Sequence, residues 1–168
     1  MLVKAGEQFG SLTGGSAFND SSMIDFTSLD DIRGVNIRSD GNLLRWIQCY
    51  YSSNSPSEIH RPGPTHGILD SNAPGEQFFL DKDEKIFKVQ LKLSDVNLDR
   101  DDGSTVNLRL VVAIQFFTTK GRSSPDISQI KGDIYTEEYP RYTLGYMAGR
   151  SGAYIDQIQF YWYSTINN

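Results

Sequence analysis

"VNLRLVVAIQFF", residues 106–117, decides the fold class. Val106, Leu108, Leu110, Val112, Ile114 and Phe116 share one parity, with Asn107, Arg109 and Gln115 on the other. A period of two predicts a strand with one core-facing side. The pattern recurs at 86–93, where Phe87, Val89, Leu91 and Leu93 alternate with Ile86, Lys88, Gln90 and Lys92. It recurs again at 157–163, where Ile158, Phe160 and Trp162 alternate with Gln157, Gln159 and Tyr161. Turn-forming clusters separate such runs: "SDGN" at 39–42, "DKDEK" at 81–85 and "DRDDGS" at 99–104. Helical periodicity is nearly absent. The chain therefore reads as all-β, with Lys82, Asp83, Glu84 and Lys85 as a charged turn and a Pro/Gly/Ser loop at 52–75 as its most irregular connection.

An internal repeat refines this reading. "WIQCYYSS" begins at Trp46, "AIQFFTTK" at Ala113 and "QIQFYWYS" at Gln157, so an Ile-Gln-apolar-aromatic strand occurs three times, around Ile47, Ile114 and Ile158. Three similar β units closed into one body would hide their sheet edges.

Composition narrows the function classes. At 168 residues and 38% hydrophobic content the chain reads as one domain over residues 1–168 with one core. The net charge of -5 comes from scattered acidic residues without a basic stripe, which argues against nucleic acid. No apolar run reaches the roughly 20 residues of a membrane span, and "MLVKAGEQFGSLTGG" lacks the apolar region of a signal peptide. The expectation is a soluble protein, cytoplasmic or secreted and trimmed. Cys49 has no second cysteine to pair with and reads as a small buried residue.

The remaining polar chemistry centres on "GRSGAYIDQIQFYWY", residues 149–163, where Gly149 and Gly152 suggest a loop whose backbone amides face something other than a plain turn. Ser151 in "GRSGA" departs from a nucleophile elbow, since Ala153 stands where G-x-S-x-G needs its last glycine. The two histidines, His60 and His66, fall in the Pro/Gly loop. A serine triad would need one of them aimed at Ser151, their spacing does not suit one helix face, and no cysteine or carboxylate cluster completes a metal site, so they read as loop residues. "DRDDGST" begins like a calcium loop, but Gly103 is fifth and Leu110 twelfth from Asp99, so it reads as a solvated hairpin. No catalytic residue, metal or cofactor is expected.

"GRSGAYIDQIQFYW", "TGGSAFND" at 13–20 and "GEQFFLDKDEKIFKV" at 75–89 together resemble the jacalin-related lectins, in that order and over nearly the whole chain. The resemblance implies a β-prism of three four-stranded Greek-key sheets with pseudo-threefold symmetry, and carbohydrate binding without catalysis. In mannose-type members a G-x-x-x-D loop and an N-terminal glycine loop hold the sugar. The matching residues here are Gly152, Ala153, Tyr154 and Asp156, with Gly14 and Gly15. Asp156 would supply the carboxylate, and Ala153, Tyr154 and Gly15 their backbone N–H groups. Alignment of the three Ile-Gln strands sets Asp156 against Arg45 and Val112, and Gly152 against Gly41 and Leu108, so one sugar site is expected. The uninterrupted "SLTGGSAFND" resembles the mannose/glucose type rather than the cleaved galactose type. Partners implied are mannose- or glucose-type glycans or glycoproteins, and a homodimer is consistent with the family. The side chains of Arg150 and Tyr154 and the loop near 71–75 are expected to border the site. Loops at 52–75 and 94–107 that depart from the family pattern leave a second reading, a β-prism interaction or structural module with an inactive or altered pocket.

Overall fold

The computed structural model describes residues 1–24, 32–53, 60–68, 75–126 and 128–164. Within them run eleven strands: β1 (Leu2–Gly10), β2 (Ser16–Asn19), β3 (Ile32–Ser39), β4 (Leu44–Ser52), β5 (His60–Gly67), β6 (Gly75–Phe79), β7 (Ile86–Asp99), β8 (Thr105–Thr118), β9 (Asp133–Glu138), β10 (Thr143–Ser151) and β11 (Ile155–Ser164). A single 3-10 turn, Asp20–Met23, follows β2, with the Asn19 side chain accepting from the Ser21 N–H. The strands form three antiparallel sheets ordered β1-β11-β10-β2, β5-β4-β3-β6 and β8-β7-β9.

The threefold relation is visible in these orders. β11 and β4 each lie second in their sheets, inside an outer strand, and the outer position beside β8 is taken by residues 123–124. There Ser123 bridges Phe117, and the Ser124 N–H donates to the Phe116 carbonyl at 2.9 Å. The third sheet thus has three full strands and a bridge where four strands were expected. Pro125 follows directly, and a residue without an N–H cannot extend a ladder inward. The repeated Ile47, Ile114 and Ile158 lie on β4, β8 and β11 and are fully buried. Each contributes about 1.5–3 kcal/mol of burial to one core shared by all three sheets. Phe116 of β8 meets Phe160 of β11 edge-on at 6.4 Å between ring centres.

Bulges alter the expected parity. A register shift between Ile86 and Lys88 buries Ile86 and leaves Phe87 half-buried, the reverse of the simple alternation. A second shift makes Val112 an extra residue, so Val111 and Ile114 enter the main core. Leu110 and Val112 instead join a second cluster with Leu43, packed by Leu108 and Tyr154.

The 52–75 stretch is not loop throughout, because its middle forms β5. Pro62 and Pro64 are tolerated there since, among the described residues, β5 pairs with β4 alone and is an edge strand. Both histidines consequently lie on a strand. His66 is buried with Nε2 2.8 Å from Asp20, and Phe18 stacks on it at 3.6 Å, while His60 stacks on Phe79 at 4.6 Å. The 81–85 turn is not wholly solvated either. Glu84 is buried, accepting from the Asp81 N–H at 2.7 Å, from Arg122 at 2.9 Å and from the Thr118 hydroxyl. Burial pushes the Glu84 carboxyl up, but these donors and the Arg122 charge outweigh it and hold the group below its ordinary range.

Candidate functional site

β10 and β11 form a hairpin closed by Gly152, Ala153 and Tyr154, with the Gly152 N–H donating to the Tyr154 carbonyl at 3.0 Å. Arg150 pairs with Gln157 and Ser151 with Ile155, which leaves Asp156 as the extra residue of a bulge. Bulges re-aim side chains at strand ends, and this one sets the Asp156 carboxylate beside the chain that follows β1. The Asp156 carbonyl accepts the Ser11 N–H at 2.8 Å. Gly10 adopts φ +107° there, and a Cβ on it would fall 2.2 Å from the same carbonyl oxygen.

Gly14 and Gly15 lie directly on the carboxylate. A Cβ on Gly14, at φ +109°, would sit 2.8 Å from Oδ1. One on Gly15, at φ +53°, would sit 2.7 Å from Oδ2 and 2.4 Å from the Ser151 carbonyl carbon. Only glycine combines that backbone conformation with so close an approach. Arg150 holds this loop from the other side: its Nε donates to the Gly14 carbonyl at 2.7 Å and Nη2 to the Gly15 carbonyl at 3.0 Å. In a trans peptide the C=O and N–H point in opposite directions, so the Gly15 and Ser16 amides are turned away from the guanidinium. The Ser11 hydroxyl donates to the Thr13 carbonyl at 2.7 Å and braces the start of the loop.

Asp156 is 5% exposed. Burial pushes its carboxyl up, and the Arg150 charge and its own backbone amide pull it partly back. The arrangement is a nearly desolvated acceptor beside backbone amides on a loop of fixed shape. It is suited to a neutral ligand rich in hydroxyl groups.

The six residues anticipated from sequence divide by what they do here. Gly14, Gly15 and Asp156 touch, and Gly152 lies against them, a Cβ on it reaching Gly15 Cα at 3.5 Å. Ala153 is half-buried at the hairpin tip. The Tyr154 ring turns to the second cluster, where the Arg45 guanidinium lies 4.5 Å above it. Gly149 is not in the loop: it lies inside β10, where a Cβ would fall 2.1 Å from the Gln157 carbonyl oxygen. The loop expected near 71–75 lies outside the described residues apart from Gly75, which opens β6. Sequence reasoning missed Gly10, Ser11 and the grip of Arg150 on the glycine loop. Gly10 alone left a local sign, in "QFGSLTGG".

A sequence profile of the Jacalin-like lectin domain matches residues 7–161. The chain belongs to this family. The lectin's fold also recurs in solved structures. A mannose-specific jacalin-related lectin from Morus nigra, in complex with mannose, is 21% identical, with a TM-score of 0.74 over 96% of this chain and 95% of that one. Artocarpin in complex with mannotriose is 17% identical, with a TM-score of 0.76 over 97% and 99%. Wild-type Malaysian banana lectin is 15% identical, with a TM-score of 0.73 over 97% and 99%. At such identities the likeness is one of fold. No curated protein sequence matches the lectin. Among its described residues no helix is long and apolar enough to cross a membrane.

Proposed function

We propose that residues 1–168 form one lectin domain whose single pocket binds the terminal mannose- or glucose-type sugar of a glycan and performs no chemistry on it. The observation that carries this reading is the contact of the Asp156 carboxylate with Gly14 and Gly15. A pyranose presents neighbouring hydroxyls that each donate and accept, so it asks for a pure acceptor flanked by donors. Asp156 is the acceptor, and the backbone amides of Gly15, Ala153 and Tyr154 are the donors. Gly14 and Gly152 let the sugar ring approach the backbone closely.

One site per chain follows from the related strands. Arg45 occupies the position of Asp156 on β4 and Val112 occupies it on β8. Neither side chain is an acceptor. A shallow polar pocket of this kind binds a monosaccharide with a Kd on the order of 1 mM, about -4 kcal/mol. Useful avidity then comes from a homodimer or from clustered glycans on a glycoprotein.

The test is an NMR titration with methyl α-mannoside, α-glucoside and α-galactoside, alongside Asp156→Ala shown to be folded. Expected are shifts at the Gly15 and Tyr154 amides with the first two sugars, absent in the variant. A folded wild type that responds to none of the three refutes the reading.

A further inference from the structure

The glycine loop that faces Asp156 leads straight into β2, and β2 is held by another sheet. It starts at Ser16, directly after Gly15, and is a four-residue edge strand paired, among the described residues, with β10 alone. So short and exposed an edge opens easily unless side chains pin it. The Phe18 ring tip crowds Gly149 of β10, where a Cβ would lie 3.0 Å from Cζ. The same ring stacks on His66 of β5 at 3.6 Å between ring centres, tilted by 15°. Asp20, in the turn that follows β2, is fully buried and accepts from His66 Nε2 at 2.8 Å and from the Tyr51 hydroxyl at 3.2 Å. Arg61, also on β5, donates to the Met23 carbonyl at 2.5 Å at the end of that turn. His66 therefore grips β2 by a ring and its continuation by a hydrogen bond, from a strand of the second sheet.

We infer that His66 is a positioning residue for the sugar pocket: through Phe18 and Asp20 it fixes β2 and, with it, the Gly15 amide opposite Asp156. The inference rests on the proposed sugar pocket, and adjacency is its first argument. Arg150 grips the loop at the Gly14 and Gly15 carbonyls, and His66 supplies a second point of hold a few residues on. Two such points fix the direction of a short extended segment, which one point leaves free to swing. Electrostatics is the second argument. A fully buried carboxylate needs donors, and when ionised it only accepts, so Nε2 carries the proton that His66 offers Asp20. Burial, with the Asp20 charge adding to it, pushes the neighbouring Tyr51 phenol and Cys49 thiol up, so both stay neutral. His66 is the basic side chain that pairs with this carboxylate. Its removal leaves Asp20 dependent on the Tyr51 hydroxyl, and relief requires the turn to shift, which displaces β2.

The experiment measures affinity for methyl α-mannoside and methyl α-glucoside by NMR titration in the wild type, His66→Ala, His66→Gln, Phe18→Leu and His60→Ala, each shown to be folded. His60 lies on the same strand but stacks on Phe79, so its variant loses a comparable ring without touching β2. His66→Ala and Phe18→Leu are expected to bind about tenfold more weakly, within the usual range of coupling between linked sites, and His60→Ala within about twofold of wild type. His66→Gln keeps an N–H for Asp20 and should recover part of the loss. ¹⁵N relaxation should show faster motion of the Gly15 and Ser16 amides in His66→Ala and not in His60→Ala. Should His66→Ala not fold, Phe18→Leu, which removes the stack and leaves the Asp20 bond in place, decides by the same criteria. A folded His66→Ala or Phe18→Leu protein that binds like the wild type overturns the inference and leaves the sugar pocket standing, as does an equal loss in His60→Ala. A wild type that binds neither sugar overturns both.

Discussion

Gly15→Ala tests the pocket where its geometry is tightest. Two costs add. At φ +53° an alanine sits in the left-handed region, which costs roughly 1–2 kcal/mol relative to glycine. Its Cβ would also lie 2.4 Å from the Ser151 carbonyl carbon and 2.5 Å from the oxygen. Both are backbone atoms that no rotamer change can move. Relief to ordinary contact needs the glycine loop to withdraw by about 1 Å. A Gly15 N–H that donates to a sugar oxygen at about 2.9 Å is then near 3.9 Å, beyond hydrogen-bond reach. Loss of that donor costs about 1–3 kcal/mol of binding, or roughly 5- to 150-fold in affinity. Thermal stability should fall by roughly 2–8 °C for a chain of this length. The control is Gly152→Ala, whose Cβ meets Gly15 Cα at an ordinary 3.5 Å and whose φ is not positive, so the free protein should keep its melting temperature. Calorimetric titration with methyl α-mannoside and a melting curve on both variants decide the matter. A folded Gly15→Ala protein that binds within twofold of wild type refutes the geometric argument.

Arg150→Gln removes both bonds to the glycine-loop carbonyls and should weaken monosaccharide binding by about tenfold, with faster motion of the Gly14 and Gly15 amides in ¹⁵N relaxation. Because burial raises the Asp156 carboxyl and only the ionised form is a pure acceptor, affinity should decline with falling pH at a point above the ordinary aspartate value of about 3.9. Arg150→Gln should move that point higher, which a pH series of titrations would detect. The same raised value means that the folded protein binds the Asp156 proton more tightly than the unfolded chain, so this group's contribution to stability falls as pH rises through it. Asp156→Asn should therefore abolish binding while raising the melting temperature at pH 7. Glu84 carries the opposite sign: its carboxyl is held low, so its stabilisation is present above its unfolded value and lost as acid reaches the folded one. Glu84→Gln should lower stability at pH 7 by about 1–3 kcal/mol, with the deficit shrinking in acid denaturation curves.

Much of the fold was legible because burial imposes period two on strands, and because three copies of one strand carry the same Ile-Gln pair. Ile47, Ile114 and Ile158 occupy related positions for that reason. What escaped was set by partners distant in sequence. The apolar run from Val106 to Phe116 shows no interruption, yet Val112 bulges because its neighbours pair across it with Leu93 and Lys92. β5 was hidden by its prolines, which an edge strand tolerates and a central one does not. Glu84 looked like a solvated turn residue because its partners, Thr118 and Arg122, come from the end of β8 and the turn after it. At the candidate site the glycines and Asp156 were readable, since close approach and a lone carboxylate leave local signs. Arg150's role was not, because it depends on a loop more than 130 residues away.

The three bulges connect the fold to the proposed function. Asp156, Arg45 and Val112 are each the extra residue where paired strands shift register, on β11, β4 and β8. Two of these bulges share a further device. Gly10 and Gly67, both with positive φ, pass against the Asp156 and Arg45 carbonyls, and the following residues, Ser11 and Ile68, donate to them at 2.8 and 3.1 Å. The backbone is thus shaped alike at Asp156 and Arg45, and the side chain sets what each bulge does. Arg45 reaches Asp40 and covers Tyr154, bracing the hairpin that carries Asp156. Val112 fills the second cluster against which Tyr154 also packs. A repeated architectural element therefore supplies one acceptor and two supports for it. Carboxylates at the Arg45 and Val112 positions would face desolvation without the Arg150 charge that Asp156 has, a cost that a cation and an aliphatic residue there avoid.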